Sequence, residues 1–302
     1  MIYDVIIIGS GPAGMSAAMF LKRANLNILL IEKDTPGGQV VRTGVVENYP
    51  GCGRTTGLAL AQVMYEQIAE LQVPYIFDSV IFVEKHEHFQ VETRQNRYFT
   101  KNIIIATGTK QRKIGVPGEE EFFGRGVSYC AICDANFYKN ENVVVIGGGN
   151  SAFEEGLYLS KICKQVTLLA RSSQFRADHI YIEKAMNTPN MTILNNKRTL
   201  EFIGNKVLEK VKYEDVLTKE IGEIETDGAF IYVGSEPATK IFKPFDILDE
   251  NGYIIVNEEK ETKVPGMYAV GDCTRKPLRQ ILTATSDGAI AASTIIRKLT
   301  KE

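Results

Sequence analysis

Two copies of one pattern, in which a short β-branched run meets a glycine-rich turn and then a helical segment, constrain this chain most. The first copy is 3–14 and the second is 142–152. Helical patterns follow at 15–23 and 153–161, and apolar strands at 27–31 and 165–169. Strand, helix and strand in that order form a parallel βαβ unit with a nucleotide site at its glycine turn. The sequence therefore predicts an α/β fold with two nucleotide-binding three-layer domains.

The order of the remaining elements predicts that the second domain is inserted into the first. Further strands are expected at 89–93, 97–100, 101–108, 207–213, 228–234 and 267–272. Val116-Pro117-Gly118 breaks the pattern and marks a crossover. An Ala/Ile-rich amphipathic helix at 287–299 is expected to pack on the first domain. The predicted domains are 1–113 with 245–302, and 114–244.

Composition narrows the class of protein. The 302 residues are 44% apolar and 24% charged, which is ordinary for globular domains that bury a core. A net charge of −2 without a basic stripe argues against nucleic acid as a partner. No run approaches the ~20 apolar residues of a membrane span. Asp4 lies inside the first apolar run and no cationic segment precedes it, so no signal peptide is expected. Five cysteines without a repeating framework indicate reducing cytosol.

Between the two copies lies Cys130-x-x-Cys133 with Asp134 directly after it. The spacing lets two thiols close a small disulfide. If Cys133 opens a helix, the helix N-terminus lowers a thiol pKa, and Asp134 is within reach to move a proton during exchange. The alternatives are a zinc half-site or two buried cysteines. Zinc usually needs four ligands. None of the three histidines pairs at zinc spacing and the other cysteines are single, so we predict a redox disulfide and no metal. The unpaired cysteines are Cys52, Cys163 and Cys273.

The first glycine turn, Gly9-x-Gly11-x-x-Gly14, follows a strand and opens a helix, with Glu32 ending the next strand. Gly9 permits the tight turn, Gly11 lets the backbone approach a pyrophosphate, and Gly14 lets helix and strand pack closely. The helix N-terminus offers N–H groups and a positive dipole to phosphates. Glu32 can bind both ribose hydroxyls. These positions predict a dinucleotide site.

The second turn keeps Gly147, Gly149 and Ala152 at the corresponding positions. When the copies are aligned, Ala170 takes the place of Glu32. An acid there would select a free ribose hydroxyl, and its absence leaves room for a 2′-phosphate. Arg171 and Arg176 follow and could pair with that phosphate, although both also fit ordinary surface charges. Two nucleotide folds flanking a dithiol suggest an electron path from a nicotinamide through a flavin to the disulfide.

In combination, these residues resemble the low-molecular-weight bacterial thioredoxin reductases over essentially the whole chain. Those proteins belong to the FAD- and NAD(P)-dependent pyridine nucleotide-disulfide oxidoreductases. The matching segments are Gly9-Ser10-Gly11-Pro12-Ala13-Gly14, Pro36-Gly37-Gly38-Gln39, Glu47-Asn48-Tyr49-Pro50-Gly51, Ala106-Thr107-Gly108, Cys130-x-x-Cys133-Asp134, Gly147-Gly148-Gly149-Asn150-Ser151-Ala152, Gly271-Asp272 and Arg279-Gln280.

The resemblance implies an FAD site in the first domain and an NADPH site in the second. The implied FAD residues are Gly9, Gly11, Pro12, Ala13, Gly14, Glu32, Lys33, Gly38, Gln39, Asn48, Val80, Gly108, Asp272, Arg279 and Gln280. The implied nicotinamide nucleotide residues are Gly147, Gly149, Asn150, Ser151, Ala152, Arg171 and Arg176. Taken singly, Asn48 and Asp272 would also suit turns.

The resemblance further implies a homodimeric, cytoplasmic thioredoxin-disulfide reductase that rotates its second domain between two positions. By position, Cys133 faces the flavin and Cys130 attacks thioredoxin. Asp134 matches the acid/base of the family, although alone it would also suit a helix cap. No nucleic acid or membrane partner is expected.

The chain departs from the family where the 2′-phosphate would bind. The usual His-Arg-Arg reads Ala170-Arg171-Ser172, and Ala135 stands where Gly is usual. A related branch takes electrons from ferredoxin instead of NADPH, and the intact second glycine turn argues against that branch. A flavin-bound redox sensor that switches a partner is the remaining alternative.

Overall fold

A computed structural model of the protein describes residues 1–43 and 46–300. Two units make up the chain. The first comprises Met1–Lys110 together with the segment that begins at Glu236, and the second comprises Gln111–Ser235. The first unit is therefore discontinuous in sequence, with the second unit inserted between its two parts.

Both units contain helices and strands. The helices of the described residues are α1 (Pro12–Arg23), α2 (Gly57–Glu70), α3 (Ala131–Asp134), α4 (Asn150–Leu159), α5 (His179–Met186) and α6 (Ile281–Leu299). Strands of the first unit are β1 (Ile2–Ile8), β2 (Ile28–Glu32), β3 (Tyr75–Phe77), β4 (Val80–Lys85), β5 (Phe89–Thr93), β6 (Arg97–Ile105) and, late in the chain, β17 (Met267–Ala269). Two short strands, β7 (Thr109–Gln111) and β16 (Ser235–Pro237), form a sheet of their own. Strands of the second unit are β8 (Val127–Ser128), β9 (Asn142–Gly147), β10 (Gln165–Leu169), β11 (Met191–Leu194), β12 (Lys197–Gly204), β13 (Leu208–Asp215), β14 (Ile221–Glu225) and β15 (Gly228–Tyr232). In the described part of the chain, no helix has the length and apolar character needed to cross a membrane.

The main sheet of the first unit has the order β3-β2-β1-β6-β5-β4, and β17 also pairs with β6. The expectation of separate strands at 97–100 and 101–108 is wrong, because β6 is continuous. Its first half pairs antiparallel with β5 and its second half pairs parallel with β17. The polar residues of the first half and the apolar residues of the second half suggested two strands, but they reflect two different partners of one strand.

Both faces of this sheet are covered, so its central strands read as continuous apolar runs. Along β1, Val5 and Ile7 join a core that includes residues of α1 and α6. Ile6 and Ile8 join a second core with residues of β5 and β17. The predicted packing of the C-terminal helix is confirmed, and its contact with α1 is close: a Cβ on Gly288 would lie 2.1 Å from the Ala13 carbonyl oxygen.

The second unit contains a parallel sheet of order β11-β10-β9-β15-β8 and an antiparallel sheet of order β12-β13-β14. Both predicted βαβ repeats are confirmed, as β1-α1-β2 and β9-α4-β10. The helices start earlier than their apolar pattern suggested, α1 at Pro12 rather than Met15 and α4 at Asn150 rather than Phe153. Each helix begins directly after a glycine N-cap, before the first large apolar side chain, and periodicity cannot detect that first turn.

Candidate functional site

The glycine turn between β1 and α1 combines two crowded positions with one open position. A Cβ on Gly9 would lie 2.3 Å from the Ala106 carbonyl oxygen, and one on Gly14 would lie 1.9 Å from the Gly9 carbonyl oxygen. No heavy atom lies within 4 Å of the corresponding position on Gly11. Gly11 is the N-cap of α1, no side chain caps that helix, and Pro12 follows at its first position. The turn thus presents backbone and free space, as a phosphate site at a helix N-terminus requires.

Glu32, at the end of β2, is held beside this turn. Its Oε2 atom accepts hydrogen bonds from the Ser10 amide at 2.7 Å and the Ser10 hydroxyl at 3.1 Å. Its Oε1 atom accepts from the backbone amides of Lys33 and Asp34 at 2.8 and 2.9 Å, while the Lys33 side chain is exposed. The Ser10 hydroxyl also lies 3.0 Å from the Tyr75 hydroxyl, whose pKa burial raises to about 12. Sequence reasoning missed Ser10 and Tyr75 as the support of this carboxylate.

Asp272, in the turn after β17, carries a buried carboxylate oxygen without a protein partner. Its Oδ1 atom and the Thr107 hydroxyl both lack a hydrogen bond among the described residues. Burial raises the pKa of Asp272. The Arg279 side chain donates to the Asp272 carbonyl oxygen at 3.4 Å and lies over the Tyr253 ring at 4.1 Å. Because buried polar atoms are nearly always hydrogen-bonded, these two oxygens suit a polar ligand.

Several other residues predicted for this site contact one another or its glycine turn. The Asn48 side chain donates to the Gln280 side chain at 3.1 Å, and Gln280 is also the N-cap of α6. The Gln39 side chain donates to the Thr109 carbonyl oxygen at 2.7 Å, next to Gly108. A Cβ on Gly38 would lie 3.4 Å from the Gly11 Cα atom, so these two glycines are neighbours. Ala13 is buried beneath the turn, and Val80 begins β4.

In the second unit, Cys130 and Cys133 form a disulfide with their Cα atoms 5.3 Å apart, as predicted. The condition that Cys133 opens a helix is not met. The helix α3 begins at Ala131, and Cys130 is its N-cap, with its Sγ atom accepting from the Cys133 amide at 3.3 Å. An N-cap side chain accepts from an amide two or three residues on, which places the first cysteine at the cap and the second inside the first turn.

Asp134 contacts the dithiol through Ser128 and does not cap a helix through its side chain. The Ser128 hydroxyl donates to Asp134 Oδ2 at 2.6 Å and accepts from the Cys130 amide at 3.0 Å. The amide of Ala131, between the two cysteines, donates to the Tyr232 hydroxyl at 2.8 Å. Sequence reasoning missed Ser128 and Tyr232. Ser128 lies two residues before Cys130 and is detectable by that spacing, whereas Tyr232 is distant in sequence and gives no such signal.

The other cysteines have different surroundings. Cys163 and Cys273 are buried, and burial raises the pKa of each thiol to about 11. Cys52 is half-buried and its thiol donates to the Tyr49 carbonyl oxygen at 3.4 Å. Within the described ranges, no group of three or more His, Cys, Asp and Glu side chains is placed to hold a metal ion. Cys130 and Cys133 are thus the pair built for thiol–disulfide exchange.

The second glycine turn, between β9 and α4, resembles the first in its crowding. A Cβ on Gly147 would lie 2.3 Å from the Tyr232 carbonyl oxygen, and no heavy atom lies within 4 Å of that position on Gly149. Gly149 is the N-cap of α4, and Ala152 is fully buried in the first turn of the helix. This turn also presents an uncapped helix N-terminus with space in front of it.

The loop after β10 is tied back to this turn. The Arg176 amide donates to the Gly148 carbonyl oxygen at 2.8 Å. Asn150 and Asp178 exchange two hydrogen bonds, of 3.1 and 2.6 Å. Ala170, which ends the strand run, is buried, whereas the side chains of Ser151, Arg171 and Arg176 are exposed. Among the described residues, a backbone hydrogen bond therefore connects Arg176 to the glycine turn, and none connects Arg171 to it.

Comparisons with known proteins agree with this geometry. The family model for pyridine nucleotide-disulphide oxidoreductases matches residues 3–288. The chain is 44% identical over 296 residues to a thioredoxin reductase of Bacillus subtilis, covering 97% of this chain and 94% of the relative. It is 43% identical over 295 residues to one of Ureaplasma parvum, covering 96% and 95%. The crystal structure of Lactococcus lactis thioredoxin reductase superposes with a TM-score of 0.96 at 41% identity, covering 99% of this chain and 100% of that one. The chain therefore belongs to the pyridine nucleotide-disulphide oxidoreductase family, in the group of the low-molecular-weight bacterial thioredoxin reductases.

Proposed function

We propose that this protein is an FAD-dependent thioredoxin-disulfide reductase that uses NADPH. The observation that carries the proposal is the disulfide between Cys130 and Cys133 at the start of α3, with Asp134 linked to it through Ser128. A dithiol placed in this way, in a chain with two dinucleotide turns, suits transfer of two electrons to a protein disulfide. Thioredoxin is the acceptor named for the similar proteins.

FAD is proposed for the first unit. The open position at Gly11 and the uncapped start of α1 suit its pyrophosphate, and Glu32 suits a ribose. The unpartnered oxygen of Asp272 suits a hydroxyl donor of the ribityl chain, with Arg279 and Gln280 beside it. When bound, FAD accepts a hydride from the reduced nicotinamide and passes two electrons to the disulfide. We propose that residues 1–113 and 245–302 form this domain and that 114–244 form the nicotinamide nucleotide domain.

The dithiol performs the exchange step. The Cys130 thiolate attacks the thioredoxin disulfide, forming a mixed disulfide and releasing one thioredoxin thiolate. The Cys133 thiolate then attacks Cys130 Sγ, which restores the Cys130–Cys133 disulfide and releases the second thioredoxin thiolate. Two protons accompany the two electrons to thioredoxin. We propose Asp134, the residue directly after Cys133, as the group that hands over a proton; its carboxylate accepts a hydrogen bond from Ser128, which also bonds the Cys130 amide.

NADPH is proposed as the donor because Ala170 leaves space where an acid would select NADH. Arg171 and Arg176 offer charge to a 2′-phosphate, and Ser172 offers a hydroxyl where the family has a second guanidinium. The Ser172 hydroxyl already accepts from the Gln174 amide at 3.0 Å. We therefore expect a preference for NADPH that is weaker than the family norm.

A second candidate keeps the dithiol chemistry with reduced ferredoxin as donor. The loss of the histidine and of the second arginine of the family, at Ala170 and Ser172, favours this candidate. Anaerobic titration with NADPH, NADH and reduced ferredoxin, followed by flavin bleaching, separates the candidates. Bleaching by NADPH and catalytic reduction of thioredoxin are expected. Turnover with ferredoxin but with neither nucleotide would replace the donor. Reduction without thioredoxin turnover would identify a redox sensor.

The roles of the two cysteines are tested in the same assay. Cys130→Ser should abolish thioredoxin turnover and leave flavin bleaching by NADPH intact. Cys133→Ser should block electron flow from the flavin to the dithiol. We also propose a cytoplasmic homodimer. The free thiols of Cys52, Cys163 and Cys273 suit a reducing compartment, and the similarity to the family supports the dimer. Light scattering of the purified protein measures the dimer directly.

A further inference from the structure

Tyr232 lies at the point where two functional segments of the second unit meet. It is the last residue of β15 and pairs in register with Gly147, the first glycine of the second turn. Its carbonyl oxygen occupies the space that a side chain on Gly147 would need, 2.3 Å from an ideal Cβ. Its side chain points to the other segment, because the phenol oxygen accepts from the Ala131 amide at 2.8 Å.

The amide that Tyr232 holds belongs to the residue after Cys130. Ala131 is the first residue of α3 and is fully buried, so its N–H group cannot be satisfied by water if the phenol oxygen is removed. The Cys133 amide, two residues on, donates to Cys130 Sγ at 3.3 Å. The position of this first turn therefore determines the geometry of the hydrogen bond from the Cys133 amide to Cys130 Sγ.

Resting on the proposed function above, we propose that Tyr232 is a positioning residue for the dithiol: its phenol oxygen anchors the Ala131 amide and holds the first turn of α3 in the geometry that thiol–disulfide exchange needs. Ser128 connects the two ends of the same turn, because its hydroxyl accepts from the Cys130 amide and donates to Asp134 Oδ2. The hydrogen bond of the Tyr232 hydroxyl is to the Ala131 amide, so Tyr232 acts through the backbone that carries the two cysteines.

The phenol can keep this role at any pH where thiols titrate. Burial, and to a smaller extent the charge of Glu155, raise the pKa of Tyr232 far above its ordinary value. The phenol therefore stays neutral and keeps a lone pair for the Ala131 amide. A change in the pH profile of the dithiol in a variant would then report the lost hydrogen bond and not titration of the tyrosine.

Tyr232→Phe in the holoenzyme tests the proposal, since it removes one oxygen and keeps the ring. Tyr138→Phe is the matched control. Tyr138 lies shortly after Cys133 in the sequence, and its ring packs edge-on against Phe230. Its hydroxyl makes no hydrogen bond with the described residues. We expect Tyr232→Phe to lower kcat for thioredoxin about fivefold, the size of one hydrogen bond. The KM for NADPH and the reduction of a small flavin oxidant such as ferricyanide should not change.

A second readout is the pH profile of iodoacetamide alkylation of the reduced dithiol. We expect the profile of Tyr232→Phe to move to higher pH, because the Cys133 amide is held less firmly against Cys130 Sγ. The Tyr138→Phe profile should match wild type. Unchanged thioredoxin kcat and alkylation profile in Tyr232→Phe would overturn the proposal. Equal loss of ferricyanide reduction and thioredoxin reduction would also overturn it, since that is the result of a general structural defect.

Amide hydrogen exchange of the wild-type protein keeps the proposal testable if Tyr232→Phe does not fold. Slow exchange at Ala131 is expected, and fast exchange would contradict the anchor. Alkylation and hydrogen exchange need no thioredoxin. A wild-type protein without thioredoxin turnover would therefore refute the proposed function, while these two measurements would still decide the role of Tyr232.

Discussion

The two glycine turns differ in the space that each leaves for a side chain at the last position of the glycine pattern. At the first turn, a Cβ on Gly14 would lie 1.9 Å from the Gly9 carbonyl oxygen, so only glycine fits. At the second turn, Ala152 occupies the corresponding position, and its side chain is fully buried in the first turn of α4. The first turn therefore requires glycine at this position, whereas the second turn accommodates alanine.

The two units also differ in the partners that they provide for an acidic side chain with buried oxygen atoms. Asp287 in α6 is paired with Lys260 at 3.0 Å and with Lys276, and accepts from the Gly271 amide at 3.1 Å. Glu155 in α4 has a buried Oε2 atom without a hydrogen bond among the described residues. Burial raises the pKa of Glu155 to about 8. A paired acid stabilises the fold as an anion, whereas an unpaired acid is tolerated mainly in its protonated form.

The largest effect is expected at the paired acid. Asp287→Asn leaves Lys260 and Lys276 without their carboxylate and should lower the free energy of unfolding by about 4 kcal/mol. Urea denaturation measures this loss. Asp246→Asn is the control, because Asp246 is exposed and pairs with Lys263 at the surface. Such pairs contribute little, so no measurable change is expected there. Equal effects of the two variants would remove the distinction between paired buried and exposed acids.

Exchanging the residues of the two turns tests the packing difference. Gly14→Ala should destabilise the protein by about 3 kcal/mol and lower the flavin bound per chain, because the new Cβ would strike the backbone of the turn. Ala152→Gly should cost about 1 kcal/mol, the difference in helix propensity, and leave the flavin content unchanged. Urea denaturation and flavin absorbance measure both. If Gly14→Ala keeps its flavin and stability, the two turns are equivalent.

The unpaired acid predicts a dependence of stability on pH. Because the pKa of Glu155 is raised from 4.5 to about 8 in the folded protein, the folded protein keeps a proton that the unfolded chain releases. This contribution is full below pH 4.5 and is lost as the pH rises toward 8. Between pH 5.5 and pH 7 it should decrease by about 2 kcal/mol. Glu155→Gln should remove that part of the slope in urea denaturation, and an identical slope in wild type and variant would show that Glu155 is ionised in the fold.

The smallest effect concerns the loop after β10. The backbone of Arg176 is hydrogen-bonded to Gly148, whereas no such bond connects Arg171 to the turn among the described residues. We expect Arg176→Ala to raise the KM for NADPH about tenfold, or about 1.4 kcal/mol, and Arg171→Ala to raise it less. The double variant should leave NADH use nearly unchanged. A rise in KM for both nucleotides would show that the arginines do not read the 2′-phosphate.

Much of the fold was readable because local patterns carry it. The βαβ repeats follow from β-branched runs ending at glycine, and the C-terminal helix follows from its small apolar face. The single strand β6 was not readable, because its two halves meet different partners and one of these, β17, is far along the chain. Pairing with a distant strand leaves no mark in the local pattern of apolar and polar residues.

The sequence by itself determined the chemistry of this protein: the cysteine spacing, the glycines of both turns, Glu32 and the absence of an acid at Ala170. These features depend on residue type and spacing along the chain, and the local backbone geometry is enough to bring such residues together. Tertiary structure alone decided which groups support that chemistry. Ser10 holds Glu32, Tyr232 holds the amide beside Cys130, Lys260 and Lys276 neutralise Asp287, and Glu155 is left unpaired. Hydrogen bonds and burial between residues distant in sequence arise only when the chain has folded, because no local spacing specifies them.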